Sequence, residues 1–264
     1  MFLVLLLCSA PPNIEGGAEP DANARSLGPL RIGIGLTRAS ARVQITSVET
    51  EIPDSALAEE LVVDIGEEVD VETLSLESTV TFNWRFLELS ALAGLATTES
   101  GYTVRLSGEL PDDSLFPGPF DVALDSEGSQ SGYLVGFGGA LYLPLVSIDG
   151  PLVLRTGSSV SFRRFDTLSS TTFSGAASLI KRQKMFGVPV DFSLGSAYSW
   201  ISRRSELKTN ALGSVVTVRI EQELRDPWSL VAAVGLPLGA QARLLFATTQ
   251  SFTGTSAYSV RLAF

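Results

Sequence analysis

Histidine is absent from this chain of 264 residues, and its absence removes most routes to side-chain catalysis near neutral pH. A neutral imidazole is the usual base for a serine or cysteine nucleophile and a common metal ligand. The one cysteine, Cys8, cannot form an internal disulfide or a cysteine zinc site. A serine–lysine pair remains conceivable, but Lys181, Lys184 and Lys208 fall at predicted loops or strand ends, where solvated charge is the simpler interpretation. The sequence therefore predicts no enzyme, no cofactor and no histidine or cysteine metal site.

Composition and charge exclude two further classes of protein. Hydrophobic residues make up 45% of the chain and charged residues only 18%, which excludes a disordered protein. The net charge is -10 at pH 7, with a pI near 4.6. Nucleic-acid binding depends on the neutralisation of phosphates by basic residues, so we expect no nucleic-acid partner.

The densest group of candidate cation ligands is an acidic segment that contains no lysine or arginine. Its carboxylates are Glu49, Glu51, Asp54, Glu59, Glu60, Asp64, Glu67, Glu68, Asp70 and Glu72. Hard divalent cations bind carboxylate oxygens, so cation binding is one interpretation. The spacing from Asp64 to Asp70 does not match an EF-hand loop, and we favour a solvated surface loop. A second acidic stretch at 112–127 has the same interpretation.

From about residue 30 onward, apolar and polar residues alternate, as is typical of strands whose two faces meet different surroundings. The alternation predicts twelve strands, at 30–48, 74–84, 86–97, 101–109, 131–143, 152–163, 170–181, 186–201, 212–223, 228–236, 240–248 and 255–264. Helical periodicity is nearly absent. The charge-free stretch 128–148 is long enough for a membrane helix, but it contains several glycines and alternates, so we favour a strand there.

Two features of these strands favour an apolar face turned towards lipid rather than towards a core. The opposite face is rich in Gly, Ser, Thr and Arg with occasional Glu, which is typical of a polar lumen. Aromatic residues sit near predicted strand ends, where a membrane barrel carries its interfacial aromatics. These aromatics are Trp84, Tyr102, Tyr133, Tyr142, Trp200, Trp228, Tyr258 and Phe264.

The C-terminus carries a more specific signal. The last strand ends on Phe264, and Tyr258, Val260 and Leu262 share its face. This ending resembles the C-terminal assembly signal of bacterial outer-membrane β-barrels. The resemblance implies an all-β, antiparallel up-and-down transmembrane barrel of about twelve strands over 30–264. It also implies location in the outer membrane after export through the periplasm, recognition by the barrel-assembly machinery, and contact with lipid and lipopolysaccharide.

The N-terminus is consistent with export. The apolar run FLVLLL and the small residues that follow resemble the end of a secretory signal, so 1–10 is interpreted as a signal-peptide-like segment. Acylation of Cys8 is an alternative, although Leu7 departs from the usual lipoprotein signal. Residues 11–29 are rich in Pro, Gly, Ala and Asn and are interpreted as a flexible lead-in.

The polar face of the predicted barrel carries charges of both signs that could form a filter or a plug. We expect these lumen residues to be Arg31, Arg105, Arg155, Arg219, Arg243, Arg261, Glu77, Glu88, Glu109 and Glu221. If the charges line a gap, the protein is a narrow, passive, porin-like channel for small solutes, the hypothesis we favour at this point. If they pair fully, they plug the barrel, and the protein is a structural or adhesive membrane anchor. A soluble exported barrel that binds an apolar ligand is the third hypothesis.

An even strand count places both chain ends on the periplasmic side, where turns should be short. The acidic loop 49–73 then lies outside, together with the connections near 98–100, 144–151, 182–185, 224–227 and 249–254. The turns 164–169 and 237–239 lie inside. Residues 110–130 disagree, since they would form a long periplasmic loop. Either a strand is miscounted between 74 and 131, or this loop folds into the lumen.

Overall fold

A computed structural model describes residues 30–51, 62–65, 68–101, 103–110, 118–125, 128–145, 152–211, 214–239 and 242–264. The predicted signal-like segment and lead-in lie outside these residues. Fourteen strands occupy the described ranges: β1 (Leu30–Glu51), β2 (Val62–Ile65), β3 (Glu68–Trp84), β4 (Leu87–Ser100), β5 (Thr103–Leu110), β6 (Gly118–Asp125), β7 (Gly128–Leu145), β8 (Leu152–Phe165), β9 (Leu168–Met185), β10 (Val188–Ala211), β11 (Ser214–Leu224), β12 (Trp228–Leu238), β13 (Ala242–Ser251) and β14 (Ser256–Ala263).

Ten of these strands form a closed antiparallel wall in the order β1-β3-β4-β7-β8-β9-β10-β12-β13-β14 and back to β1. The ring closes on β1, which pairs with β3 on one edge and with β14 on the other. The last residue completes this closure, since the backbone N–H of Phe264 donates to the carbonyl of Ile32 at 2.8 Å. We call the end of the barrel where β1 begins and β14 ends the base, and the opposite end the mouth.

The ring contains fewer strands towards the mouth, because the β13–β14 hairpin ends before the other strands do. Beyond it, β11 pairs with both β10 and the second half of β1. Partner residues can be followed round this shorter ring of eight strands, from Gln44 through β11, β10, β9, β8, β7, β4 and β3 back to Ile34. The path of partner residues therefore returns to β1 ten residues nearer the base than it started. Tilted strands require such an offset in register to close into a barrel.

Asp226 stabilises the point at which two strands leave the ring. Both β11 and β12 pair with β10, and the register of the second pairing almost continues that of the first. The two strands are therefore halves of one long strand that is interrupted at 225–227. The Asp226 carboxylate accepts backbone N–H bonds from Trp228 at 3.1 Å and from Phe252 at 3.2 Å. Since Phe252 lies in the β13–β14 turn, this one side chain ties the interruption to the end of the short hairpin.

All twelve predicted strands are present, but the expected wall of about twelve strands is wrong. Predicted strand 101–109 is β5, which pairs with β2 and β6 in a separate three-stranded sheet, and 212–223 is β11, which continues β12. The prediction missed β2 and β6. Alternation marks any strand with two unlike faces, so it could not separate strands of the wall from strands beyond it.

The two counting errors explain the topological conflict. Because β5 and β6 both lie between β4 and β7, the troublesome residues 110–130 belong to a mouth-side connection. The predicted positions of 144–151, 164–169 and 182–185 are consequently inverted: the β8–β9 turn lies at the mouth and the β9–β10 turn at the base. The prediction also counted β11 and β12 as two strands of the wall although they form one. This second error cancels the first, so 237–239 and 249–254 lie at the predicted ends of the barrel.

Within the described part of the chain, no helix is long and apolar enough to span a membrane, and Gly128–Leu145 is a strand.

The outer face of the ten-stranded wall is apolar. On β1, Ile32, Ile34 and Leu36 point outward and are about half exposed, whereas the intervening Gly33, Gly35 and Thr37 are buried inside. Exposed aromatics follow the mouth side of this face: Tyr133, Phe162, Phe173, Tyr198, Trp200, Trp228 and Tyr258. Tyr198 and Trp228 are register partners and pack edge to face at 5.3 Å. Tyr142 was expected among these aromatics, but its position on β7 has the opposite parity from Tyr133, and it is buried in the lumen.

Replacing Phe264 by Ser is expected to lower the fraction of protein that assembles into the closed barrel, because the outward-facing aromatic side chain is the main feature of the predicted assembly signal. The backbone bonds to Ile32 remain available to serine. A closed barrel has no free strand edge and resists SDS until it is heated. Boiled and unboiled samples of the membrane fraction, compared on SDS gels, give the assembled fraction. Phe252→Ser, in the exposed β13–β14 turn, is the matched control. Equal assembly of both variants would contradict the interpretation of the C-terminus.

Candidate functional site: the barrel lumen and its mouth

The lumen is lined mainly by small and hydroxyl side chains, with a few large charged ones. Buried polar residues on the inner face include Ser75, Thr79, Ser161, Ser174 and Ser259. Their alternation with exposed apolar residues follows from the period of two along each strand. Since these small residues occupy little volume, the arginines, carboxylates and Tyr142 decide whether the interior is open.

Three side chains on three neighbouring strands form a fully buried cluster, which we call the Glu88 cluster. Arg155 Nη2 donates to Glu88 Oε1 at 2.9 Å, and Arg155 Nε donates to the Tyr142 hydroxyl at 2.9 Å. The Tyr142 hydroxyl donates to Glu88 Oε2 at 2.8 Å, which closes the triangle. The side chains of Arg155 and Glu88 are 0% and 1% exposed. A charge pair with this burial and these hydrogen bonds fixes the positions of β4, β7 and β8 and occupies the interior between them.

A second cluster, the Asp191 cluster, also lies towards the base, where β10 and β13 begin and β9 ends. Asp191 on β10 is the register partner of Arg182 on β9, and Arg182 Nε donates to its carboxylate at 2.7 Å. The guanidinium of Arg243, on β13, donates to the same carboxylate. One carboxylate thus bridges two arginines from opposite sides.

A third cluster lies around Glu77 on β3. Its carboxylate accepts a hydrogen bond from Ser75 at 2.7 Å and lies 3.6 Å from Arg261 Nη2. Arg261 extends across Gly33 and Gly35 of β1, and a Cβ added at Gly35 would lie 3.3 Å from Arg261 Nε. The Gly-x-Gly spacing therefore makes room for a lumen arginine, and neither glycine needs an unusual backbone conformation.

The lumen holds an excess of positive charge. Among the described inward-facing residues are seven arginines, Arg31, Arg155, Arg163, Arg182, Arg203, Arg243 and Arg261, and three carboxylates, Glu77, Glu88 and Asp191. The chain as a whole carries -10, so its negative charge is concentrated outside the lumen. The interior therefore has a positive potential, which favours anions.

Towards the mouth, the polarity of the two faces inverts. Inward-facing Val43, Val69, Val71, Val104, Val216, Val218 and Ile220 pack into an apolar cluster, which we call the mouth core. Val104 comes from β5 and is fully buried, so the small sheet contributes a side chain to this core. A second apolar cluster of Ala96, Leu134, Phe165 and Leu168 lies in the same half of the barrel. Side chains therefore fill the interior at the mouth as well as in the charged part towards the base.

The outer face of the mouth region is charged, with ion pairs between neighbouring strands. These are Arg38–Glu72, Arg42–Asp70, Arg204–Glu221 and Arg219–Glu51, with Lys208–Glu206 along β10. The Lys208 ammonium donates to the Glu206 carboxylate and lowers its pKa below the ordinary value. Apolar side chains inside and ion pairs outside are the arrangement of a protein in water, so this part of the barrel is built for solvent.

Six of the ten predicted lumen residues face the lumen: Arg31, Arg155, Arg243, Arg261, Glu77 and Glu88. The other four lie elsewhere. Arg219 and Glu221 are on the outer face of β11, where Val218 and Ile220 point inward, so the assumption that polar residues face the lumen is wrong there. Arg105 is exposed on β5, and Glu109 lies on the same strand, outside the wall; the side chain of Glu109 lies outside the described part of the structure.

The prediction omitted Tyr142, Arg163, Arg182, Asp191 and Arg203 from the lumen set, although strand parity places each of them on the inner face. Asp191, for example, alternates with Ser193, Gly195 and Ala197. Among the described residues, no group of three or more candidate ligands could hold a metal ion. Much of the acidic segment, 52–61 and 66–67, lies outside those residues, so the cation interpretation of this segment stays a prediction.

Comparison with known proteins gives a match of fold only. No protein-family model matches the chain, and no curated protein matches its sequence. Among solved structures, it is similar to the translocator domain of the autotransporter NalP from Neisseria meningitidis, with 15% identity, a TM-score of 0.39, and coverage of 90% of this chain and 88% of that one. The β domain of the Bordetella autotransporter BrkA has 11% identity, a TM-score of 0.42 and coverage of 88% and 98%. The transport unit of AIDA-I from Escherichia coli has 11% identity, a TM-score of 0.40 and coverage of 92% and 91%.

Replacing Arg155 by Leu is expected to lower the free energy of unfolding by about 3–5 kcal/mol, because the buried Glu88 carboxylate loses its counter-charge. The double variant Glu88→Leu/Arg155→Leu should recover most of that loss, since it leaves no unpaired charge. Urea unfolding of the barrel in lipid vesicles measures the difference. Arg219→Leu removes an exposed ion pair and is the control, with an expected change of at most about 1 kcal/mol. Equal losses in the Arg155 and Arg219 variants would mean that the Glu88 cluster does not hold the wall together.

Proposed function

We propose that this protein is a bacterial outer-membrane β-barrel that anchors a recognition surface at the cell exterior and has no transport or enzymatic activity. The observation that carries the proposal is the filled interior. The Glu88 cluster occupies the charged part of the lumen, and the mouth core closes the other half. This is the plugged alternative among the three sequence hypotheses.

The outer membrane is supported by the surface of the wall itself. A continuous apolar face bordered by aromatics matches hydrocarbon and its interfaces, and a soluble exported barrel would leave this face in water. The base carries tight turns, such as 85–86 and 186–187, whereas the mouth carries the long connections 52–67 and 101–127. Barrels of this class have short periplasmic turns, so the base faces the periplasm and the mouth faces outward. Lipid and lipopolysaccharide are then the immediate surroundings, and the barrel-assembly machinery is the proposed partner that reads Phe264.

The recognition surface consists of the charged mouth region and the small sheet. A groove of about 1000 Å³ lies beside the β8–β9 turn and is lined by residues of both signs, including Glu49, Arg164, Asp166, Arg204 and Arg219. Mixed charge on a rigid ladder of strands fits a polar partner such as a sugar–phosphate surface or another protein.

One observation favours a second function, a narrow anion channel. The excess of arginines over carboxylates gives the lumen the sign of an anion filter. In that case the protein would pass anions in preference to cations, as the porin-like hypothesis requires.

Conductance in planar bilayers decides between the two functions. We expect the natural protein, inserted as a heat-modifiable barrel, to show no current steps. A variant that combines Glu88→Ala, Tyr142→Ala and Arg155→Ala with replacement of 103–125 by a short Gly/Ser linker removes material from both closed regions and should conduct. The matched control carries the same linker with Glu51→Ala, Arg219→Ala and Glu221→Ala, all on the outer face. Anion-selective steps from the natural protein would overturn the anchor in favour of the channel.

A further inference from the structure

A small cavity of about 40 Å³ lies inside the barrel, where the mouth core meets the charged part of the lumen. Val43 of β1 and Val71 of β3 line it from the mouth core, together with residues of β4, β8, β9 and β10. The lining residues point inward, so the cavity belongs to the lumen and not to the outer surface of the wall. A space of this size can hold a water molecule or a small ion, since about 10–15 Å³ already admits one water.

Two arginines line this cavity, and we call it the Arg163 cavity. Arg163 of β8 is the register partner of Ser170 of β9, and Ser170 is the register partner of Arg203 of β10. A small serine therefore separates the two arginines, and all three residues line the cavity. Arg163 is 8% exposed and Arg203 is 5% exposed. Among the described residues of the lining, these two arginines are the only charged ones.

The two arginines also supply hydrogen-bond donors. Both interact with other parts of the protein; the charge of Glu77, for example, attracts Arg163, whereas the charge of Arg203 repels it. In addition to those interactions, Nε and Nη2 of Arg163 and Nε of Arg203 are buried and make no hydrogen bond to a described residue. A buried N–H group that lacks an acceptor costs free energy, so an acceptor inside the cavity would stabilise the barrel.

The charge balance of the lumen favours an anion over water as that acceptor. Each of the three lumen carboxylates is ion-paired with an arginine outside the cavity: Glu77 with Arg261, Glu88 with Arg155, and Asp191 with Arg182 and Arg243. The seven inward-facing arginines exceed these carboxylates by four charges. Repulsion between two buried guanidinium groups is strong where the surroundings are weakly polarisable. Water would accept the hydrogen bonds, but it would contribute no negative charge.

From this juxtaposition we propose that the Arg163 cavity binds one monatomic anion, chloride, between Arg163 and Arg203. The ion accepts hydrogen bonds from both guanidinium groups and offsets their repulsion, so it acts as a resident counter-ion of the closed lumen. Much of the lining is apolar, including Phe165 and Ile201, so a bound ion loses most of its water. This loss costs a halide less than it costs strongly hydrated sulfate or phosphate. The proposal does not depend on the anchor function or on which end of the barrel faces outward.

The chloride dependence of stability tests the site. The full-length barrel in lipid vesicles is unfolded with urea in sodium chloride and in sodium gluconate of equal ionic strength, since gluconate is too large for the cavity. For a dissociation constant of about 1 mM, chloride at about 0.1 M lowers the equilibrium constant for unfolding about a hundredfold. Arg31→Gln removes a positive charge from the lumen near the base, outside the cavity, and should keep the full chloride effect. Equal stability of the natural protein in both salts would overturn the site.

A carboxylate built into the cavity should replace the ion. Ser170→Glu places a fixed negative charge between Arg163 and Arg203, so this variant in gluconate should match the natural protein in chloride and show no chloride effect. Ser174→Glu is the matched control on the same face of β9, where its register partners are Ser159 and Ser199. The control buries a carboxylate among serines and should lose stability in both salts. If Ser170→Glu keeps the chloride effect, or is destabilised as much as Ser174→Glu, the proposal is wrong.

Bromide can replace chloride and be located by its anomalous X-ray scattering. In crystals of the natural protein grown with sodium bromide, we expect one bromide peak within hydrogen-bond reach of Arg163 and Arg203. The same peak should be absent from crystals of Ser170→Glu. A cavity that holds water alone in the natural protein would overturn the anion site. The outer-membrane location and the anchor function would then stand, because they rest on the outer face and on the filled interior.

Discussion

The rest of this structure depends on one constraint: in hydrocarbon, no backbone N–H or carbonyl can be left without a partner. The chain satisfies this constraint by pairing β1 with β3 on one edge and with β14 on the other, so that the ten-stranded sheet has no free edge. The even number of strands, the common end at which β1 begins and β14 ends, and the separation of an outer from an inner face all follow from that closure.

Individual strands of this protein pass from a region whose outer face is apolar into a region whose outer face is charged. On β1, the outward residues change from Ile34 and Leu36 to Arg38 and Arg42, while the inward ones change from Gly33 to Val43. The alternation continues through this change and shifts only later, at the β-bulge between Ile45 and Ser47, so the polarity of each face reverses while the side chains keep their faces. In the proposed orientation, the reversal marks the level at which the barrel leaves the membrane. The mouth is closed by apolar packing, whereas the lumen towards the base is closed by buried ion pairs.

The same reversal limits what the sequence alone can predict. Period-two alternation located all twelve predicted strands, and strand parity correctly placed residues such as Arg155 and Glu88 inside. Alternation says that two faces differ, but not which face meets lipid, and so Arg219 and Glu221 were assigned to the wrong side. Tyr142 shows the converse: its position near a strand end suggested an interfacial aromatic, although its parity with Leu134 and Ala140 placed it inside. The separation of the small sheet β2–β5–β6 from the wall depends on which strands become neighbours, and no local pattern contains that information.

Closure on β1 also has a consequence for the order of folding. This strand pairs with β3, which follows it closely in the chain, but its other partners, β11 and β14, lie near the C-terminus, and its last rungs involve Phe264 itself. Contacts so distant in sequence form slowly, because the entropy of a long chain must be lost before they contribute any stability. The strand β1 thus waits for β14, the last strand of the ring along the chain. Until then its open edge is a target for misfolding or aggregation, and any nascent chain released early exposes that edge.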